Sequence, residues 1–122
     1  TDVPYGMPRR MAIADLDSHG LSALASSTLT SIDVGFRKPN PCGFAALTSL
    51  LGCDPGEMLF VGNEEKDVAG ARAAGMTSVL LWRGLEPALA WGQHLVIGEI
   101  AAITGLIHEG AVSDAGSSSA GR

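Results

Sequence analysis

The sequence is poor in basic residues and in long apolar runs. Lysine and arginine number eight among 122 residues, against thirteen acids, so the net charge is -5. No basic stripe is available to neutralise phosphates, which argues against a nucleic acid partner. No apolar run reaches the length of about 20 residues that a membrane span requires, so no membrane partner is expected either.

Residues that usually build disulfide frameworks or zinc sites are also scarce. The two cysteines, Cys42 and Cys53, form no C-x-x-C pair, and we expect free thiols in a reducing cytoplasm. The three histidines lack ligand spacing, so a zinc site is not expected. What remains, 46% hydrophobic and 17% charged residues, is typical of a folded globular domain.

The two ends of the sequence differ in character. The chain begins without Met, and Thr1–Gly6 is typical of the exit from a strand into a turn. We therefore expect a fragment of a longer protein, with residues 1–109 forming part of one core domain. Residues 110–122 lack apolar mass and are expected to form a flexible tail. The sequence does not indicate which oligomeric state the protein adopts.

Helical and strand-like segments alternate along the chain. The apolar pattern predicts helices over 9–19, 43–51, 68–74 and 99–108, and strands over 24–32, 58–61, 77–82 and 94–97. This alternation predicts an α/β fold with a parallel sheet and right-handed crossovers. We expect three layers, with helices on both faces of the sheet.

Polar loops leave several of the predicted strands. In open parallel sheets the ligand site lies beyond the carboxyl ends of the strands, so Thr1–Asp2, Arg37–Lys38 and Asn63–Asp67 are expected to converge. Lys38 and a hard cation could compensate the charge of a phosphate ester. Thr1 could donate a hydrogen bond to a phosphoryl oxygen. Asp67, with Asn63 or Glu64, offers the oxygen ligands that magnesium prefers.

Plainer interpretations of the same residues stay open. Lys38 could be an ordinary surface lysine, and Asp67 could cap the helix that follows it. Capping does not exclude metal binding. Glu64 and Glu65 could simply be solvated. The residues themselves show no convincing nucleophile.

The order and spacing of these features resemble the haloacid dehalogenase-like superfamily. In that family a Ser or Thr ends the second conserved strand, a Lys follows in a segment of the type VGxRKPxPxxF, and an acidic motif of the type VGDxxxDVxGAxxAG comes next. The matching residues here are Thr1, Val34–Pro41 with Phe44, and Val61–Ala71 with Ala74 and Gly75. The resemblance is densest over residues 33–82.

The resemblance implies a magnesium-dependent phosphatase that acts on a small phosphorylated metabolite through an aspartyl-phosphate. It also implies a role for each polar residue: Thr1 and Lys38 in catalysis, Asp2 with them at the phosphate, and Asn63, Glu64 and Asp67 at magnesium. Two features depart from the family pattern. Asn63 stands where an Asp is usual, and the first strand with the nucleophilic Asp is not recognisable before Thr1. A non-catalytic binding or regulatory domain and a 2-haloacid dehalogenase remain alternatives.

Asp15-Leu16-Asp17 imitates the D-x-D signature of the nucleophile. Only 20 residues lie between Asp17 and Lys38, whereas one βαβ unit alone takes about 30 residues. The spacing therefore leaves no room for the strands and helices that the family places in this interval. We predict that this D-x-D lies on a helix and that the chain by itself has no turnover.

Overall fold

A three-stranded parallel sheet carries the fold. The computed structural model describes residues 1–108; the predicted tail, 110–122, lies outside the described residues. The sheet consists of β1 (Leu59–Gly62), β2 (Thr77–Leu81) and β3 (Leu95–Ile97), adjacent in that order. The predicted α/β class with a parallel sheet is confirmed.

Five α-helices accompany the sheet within residues 1–108: α1 (Arg9–Ser18), α2 (Ser31–Val34), α3 (Pro41–Leu51), α4 (Glu65–Ala73) and α5 (Ala102–His108). A 3-10 turn, Pro55–Glu57, precedes β1. In this part of the chain no helix has both the length and the apolarity needed to cross a bilayer.

Local sequence explains where α3 begins. The side chain of Asn40 accepts a hydrogen bond from the main-chain N–H of Cys42, and Pro41 occupies the first helical position, which needs no N–H donor. The helix turns Phe44 inward, where its ring lies 5.0 Å from the ring of Phe60 on β1. α3 is thereby fixed against the strand that leads into the candidate site.

The core is centred on β2. Val79 and Leu80 are fully buried, as expected for a parallel strand with a neighbour on each side. α4 packs against both β1 and β2 and contributes Val68 and Ala71 to the core. Gly70 faces α3 so closely that a Cβ there would lie 2.2 Å from the ring of Phe44. The β1–α4 connection is therefore anchored from two sides.

The predicted strand over residues 24–32 is wrong. Most of this segment has no regular structure, and Ser31–Val34 form the short helix α2. Thr30 caps that helix, because its hydroxyl accepts the N–H of Asp33 while the carboxylate of Asp33 accepts the N–H of Thr30. Serine, threonine and aspartate side chains compete in this way with the hydrogen bonds of a sheet.

Most other predicted elements are confirmed, with shifted boundaries. α5 begins three residues later than expected, at Ala102 rather than residue 99. α4 begins at Glu65, so Asp67 lies in its first turn and not in a loop. Asp15 and Asp17 lie on α1, as predicted, and do not follow a strand.

Candidate active site

The three polar segments meet beyond the carboxyl end of β1. The ammonium of Lys38 lies 2.7 Å from a carboxylate oxygen of Asp67. The carboxylate of Asp2 bonds to Lys38 with one oxygen and to Lys66 with the other. The two bonds of Asp2 are long-range: Lys38 is 36 positions and Lys66 is 64 positions further along the sequence. The predicted convergence of the loops is therefore present in the structure.

Asp67 is the most rigidly held side chain of the site. It is buried on the first turn of α4, and its Oδ2 accepts the N–H groups of Asn63 and Glu64, both at 3.1 Å. Free N–H groups at a helix start favour a negative charge there. A Cβ on Gly62 would lie 2.2 Å from the Cβ of Asp67, so only glycine leaves room for this carboxylate. Its Oδ1 is thereby directed at Lys38.

Lys38 is fixed at both ends. Its main-chain N–H donates to Oδ1 of Asp2 at 3.1 Å. Its ammonium, bound to Asp67, lies 5.9 Å from the centre of the Phe60 ring, a distance at which a cation is attracted to an aromatic face. The neighbouring Arg37 donates to the carbonyl of Val3 at 2.7 Å and holds the same loop. Lys38 is thus a structured cation and not an ordinary surface lysine.

Lys66 belongs to this site, although sequence reasoning did not identify it. Its ammonium lies 2.8 Å from Oδ2 of Asp2. Burial acts to raise the pKa of Asp2, but the bonds from Lys66 and from the Lys38 main chain outweigh it and lower that pKa. The hydrogen bond to Asp2 in turn raises the pKa of Lys66. One hint of a role for Lys66 was present in the sequence, because Lys38 and Lys66 are its only two lysines.

A cavity of about 860 Å³ adjoins these residues. Thr1, Asp2 and Lys38 border it, and the rest of its wall is largely apolar, with Met7, Met11, Leu29, Phe44, Leu47 and Phe60 among the lining residues. Thr1 is held by main-chain bonds to residues 29 and 31. Asp15 also borders the cavity, from α1. Thr1 and Lys38, the two residues predicted to act in catalysis, therefore border the same cavity.

The residues of the acidic motif supply part of a magnesium site. Asn63 and Glu64 are exposed, and the carboxylate of Glu64 lies 3.8 Å from the ammonium of Lys66. Within residues 1–108 no three Asp, Glu, His or Cys side chains come together as a metal-binding group. Magnesium prefers an octahedron of about six oxygens, and the buried Oδ1 of Asp67, 2.7 Å from the Lys38 ammonium, has no hydrogen bond of suitable geometry. Asn63, Glu64 and Asp67 could therefore hold part of the ion's coordination shell but not all of it.

Comparison with known sequences identifies relatives with a common reaction type. A sequence profile described as haloacid dehalogenase-like hydrolase matches residues 5–75. The phosphoserine phosphatase of Thermus thermophilus is 44% identical over 69 residues, which are 56% of this chain and 28% of that protein. The phosphoglycolate phosphatase of Salmonella paratyphi A is 33% identical over 84 residues, which are 69% of this chain and 32% of that protein.

Solved structures share the fold. A HAD phosphatase from Thermococcus onnurineus superposes with a TM-score of 0.75 at 26% identity, over 87% of this chain and 49% of that one. The L-2-haloacid dehalogenase of Xanthobacter autotrophicus superposes with a TM-score of 0.74 at 19% identity, over 83% of this chain and 51% of that one. The chain spans less than a third of the first curated relative and about half of these solved chains. It belongs to the haloacid dehalogenase-like hydrolase family.

Proposed function

We propose that this chain supplies the phosphate-binding side of a magnesium-dependent phosphatase that acts on a small phosphorylated metabolite. The observation that carries the proposal is the ammonium of Lys38, held beside the cavity by the buried carboxylate of Asp67. The similarity to phosphoserine and phosphoglycolate phosphatases supports the same reaction class.

In this proposal each polar residue on the cavity has a distinct task. Lys38 compensates the charge that develops on the phosphoryl oxygens, and the hydroxyl of Thr1 donates a hydrogen bond to one of them. Asp2 contributes its main-chain N–H, because its carboxylate is occupied by two lysine groups and would repel an anion. Asp67 keeps the Lys38 ammonium in place.

The attacking group would come from a segment beyond the 122 residues. An Asp carboxylate oxygen attacks phosphorus, the phosphorus–oxygen bond of the ester breaks, and a second Asp gives a proton to the departing alcohol. The same acid then takes a proton from the water that hydrolyses the aspartyl-phosphate. Such a segment would add a strand to the sheet and complete a three-layer architecture with helices on both faces.

Magnesium is part of the proposal as a shared ion. From this chain it would take the oxygens of Asn63, Glu64 and Asp67, and the remaining ligands would come from the segment with the nucleophile. When bound, it supplies further charge compensation for the phosphoryl oxygens. The neutral amide of Asn63 contributes no charge, so this chain's share of the affinity is small.

Two other functions have an observation in their favour. The charges of Lys38 and Asp67 balance each other without a metal. This favours a 2-haloacid dehalogenase, which uses the same fold and no metal on a carbon substrate. Asn63, an amide in place of the usual carboxylate, suits a non-catalytic domain that binds or regulates.

A panel of assays on the intact polypeptide encoded by the gene separates the three functions. Phosphate release from small phosphate esters and halide release from 2-chloropropionate are each measured with and without magnesium. We expect phosphate release that requires magnesium. Halide release without metal would favour the dehalogenase, and neither product would favour the non-catalytic domain. If the coding sequence upstream of Thr1 lacks an apolar strand followed by D-x-D, the enzyme proposal fails.

A further inference from the structure

We infer that the side chain of Asp2 is a positioning group, which acts on the site through the two lysines and does not contact a substrate. Its Oδ1 accepts the main-chain N–H of Lys38 at 3.1 Å, and its Oδ2 lies 2.8 Å from the ammonium of Lys66. Only 9% of its side chain is exposed. Both oxygens are thus committed to partners within the protein, and the catalytic meaning of this role rests on the proposed function.

The two lysines and the two acids form two ion pairs that link three segments of the chain. Lys38, in the loop before α3, binds Asp67 on α4, while Lys66, the residue before Asp67, binds Asp2. Asp2 therefore ties the first residues of the chain to the Lys38 loop and to the first turn of α4.

The two oxygens of Asp2 have separate tasks. The bond to the Lys38 main chain fixes the point from which that side chain extends, and so decides whether its ammonium reaches Asp67. The ion pair with Lys66 compensates the Asp2 charge, which would otherwise oppose an anion beside Lys38. The first task requires an oxygen acceptor, and the second requires a negative charge.

Three substitutions separate these tasks. Asp2→Asn keeps an oxygen that can accept the N–H of Lys38 and removes the charge opposite Lys66. Asp2→Ala removes both. Lys66→Met removes only the ion pair. Asp33→Asn is the matched control, because Asp33 is also ion-paired, with Arg9, but touches neither lysine.

The test is the acylation rate of each lysine in the 122-residue chain, followed by mass spectrometry of its peptides. Each rate is assigned without ambiguity, since the chain has two lysines. Loss of a charge-assisted bond is expected to raise the rate of the freed lysine about tenfold. Asp2→Asn should accelerate Lys66 alone, and Asp2→Ala should accelerate both lysines. Lys66→Met and Asp33→Asn should leave Lys38 at its wild-type rate.

Several outcomes would overturn the inference. An unchanged Lys38 rate in Asp2→Ala would show that Asp2 does not position Lys38. If Asp33→Asn accelerated Lys38 as much as Asp2→Ala does, the effect would be a general loss of structure. If Asp2→Ala fails to fold, Asp2→Asn still tests the ion pair, because an unchanged Lys66 rate in that variant would overturn the role of Asp2. The labelling uses no substrate, so inactivity of the intact protein would refute the proposed function without altering this result.

Discussion

Substitution of Gly62 by alanine probes the link between the β1–α4 turn and the site. A Cβ at this position would lie 2.2 Å from the Cβ of Asp67 and 2.5 Å from its Oδ2. These atoms belong to a buried side chain at the start of its own helix, so they cannot move aside freely. We expect the carboxylate of Asp67 to be displaced from its two N–H donors and from Lys38.

The size of the effect follows from what is lost. Overpacking of this kind typically costs about 1–3 kcal/mol. Weakening the bonds from Asn63 and Glu64 to a charged acceptor costs about 1.5–3 kcal/mol for each bond that is lost outright. Alanine has less conformational entropy than glycine in the unfolded chain, and this offsets up to about 1 kcal/mol of the lost stability. If one of these bonds is lost, the three terms together predict that the free energy of unfolding falls by about 1.5–6 kcal/mol.

Urea unfolding of the chain measures this loss, and Lys38 acylation reports on the site. Gly98→Ala is the neutral control, because its Cβ would meet no heavy atom within 4 Å. Gly70→Ala is the matched destabilising control, since its Cβ would strike Phe44 and leave Asp67 alone. Only Gly62→Ala should both destabilise the chain and accelerate Lys38. Wild-type stability and a wild-type Lys38 rate in this variant would refute the close packing of Gly62 on Asp67.

Three further predictions concern single side chains. Lys38→Met leaves the buried Asp67 without its cation and should cost about 2–4 kcal/mol in urea unfolding, a loss that adding Asp67→Asn should largely reverse. Asn63→Asp adds a charged ligand and should strengthen magnesium binding about tenfold in an NMR titration; an unchanged affinity would count against Asn63 as a ligand. His94 accepts the N–H of Ser78 at 2.9 Å, and burial followed by the charge of Arg72 lowers its pKa. The stability it contributes is present above the ordinary value of 6.5 and is lost as pH falls through the lowered pKa. His94→Asn keeps an acceptor and should flatten that loss between pH 8 and 5 in thermal unfolding.

The elements with a clear apolar pattern were predictable from sequence. Met58–Val61 and Thr77–Trp82 were identified as buried strands, and the structure shifts each by a residue at most at either end. The meeting of Lys38 with the Asn63–Asp67 segment was also predicted, although Lys38 follows the helix α2 and not the strand that was expected before it. Periodicity is sufficient for the two buried strands.

Competition between local bonds and sheet pairing limited the rest. Residues 24–32 have the composition of a strand, but the bonds between Thr30 and Asp33 close a helical cap instead. The spacing of apolar residues does not reveal such a cap. The pairing of Lys66 with Asp2 spans 64 residues, and no local pattern in the sequence predicts which acid a lysine will meet across that distance.

In the proposed function, Lys38 acts on the phosphoryl group of a substrate. The most direct test is kcat/KM of the intact encoded protein for a small phosphate ester, compared between wild type, Lys38→Met and the exposed Arg10→Met. Loss of one charge-stabilising group at a reacting centre costs about a hundredfold or more. We predict a fall of that size for Lys38→Met with Arg10→Met unchanged. Hydrolysis by Lys38→Met at the wild-type rate would show that Lys38 does not stabilise the phosphoryl group.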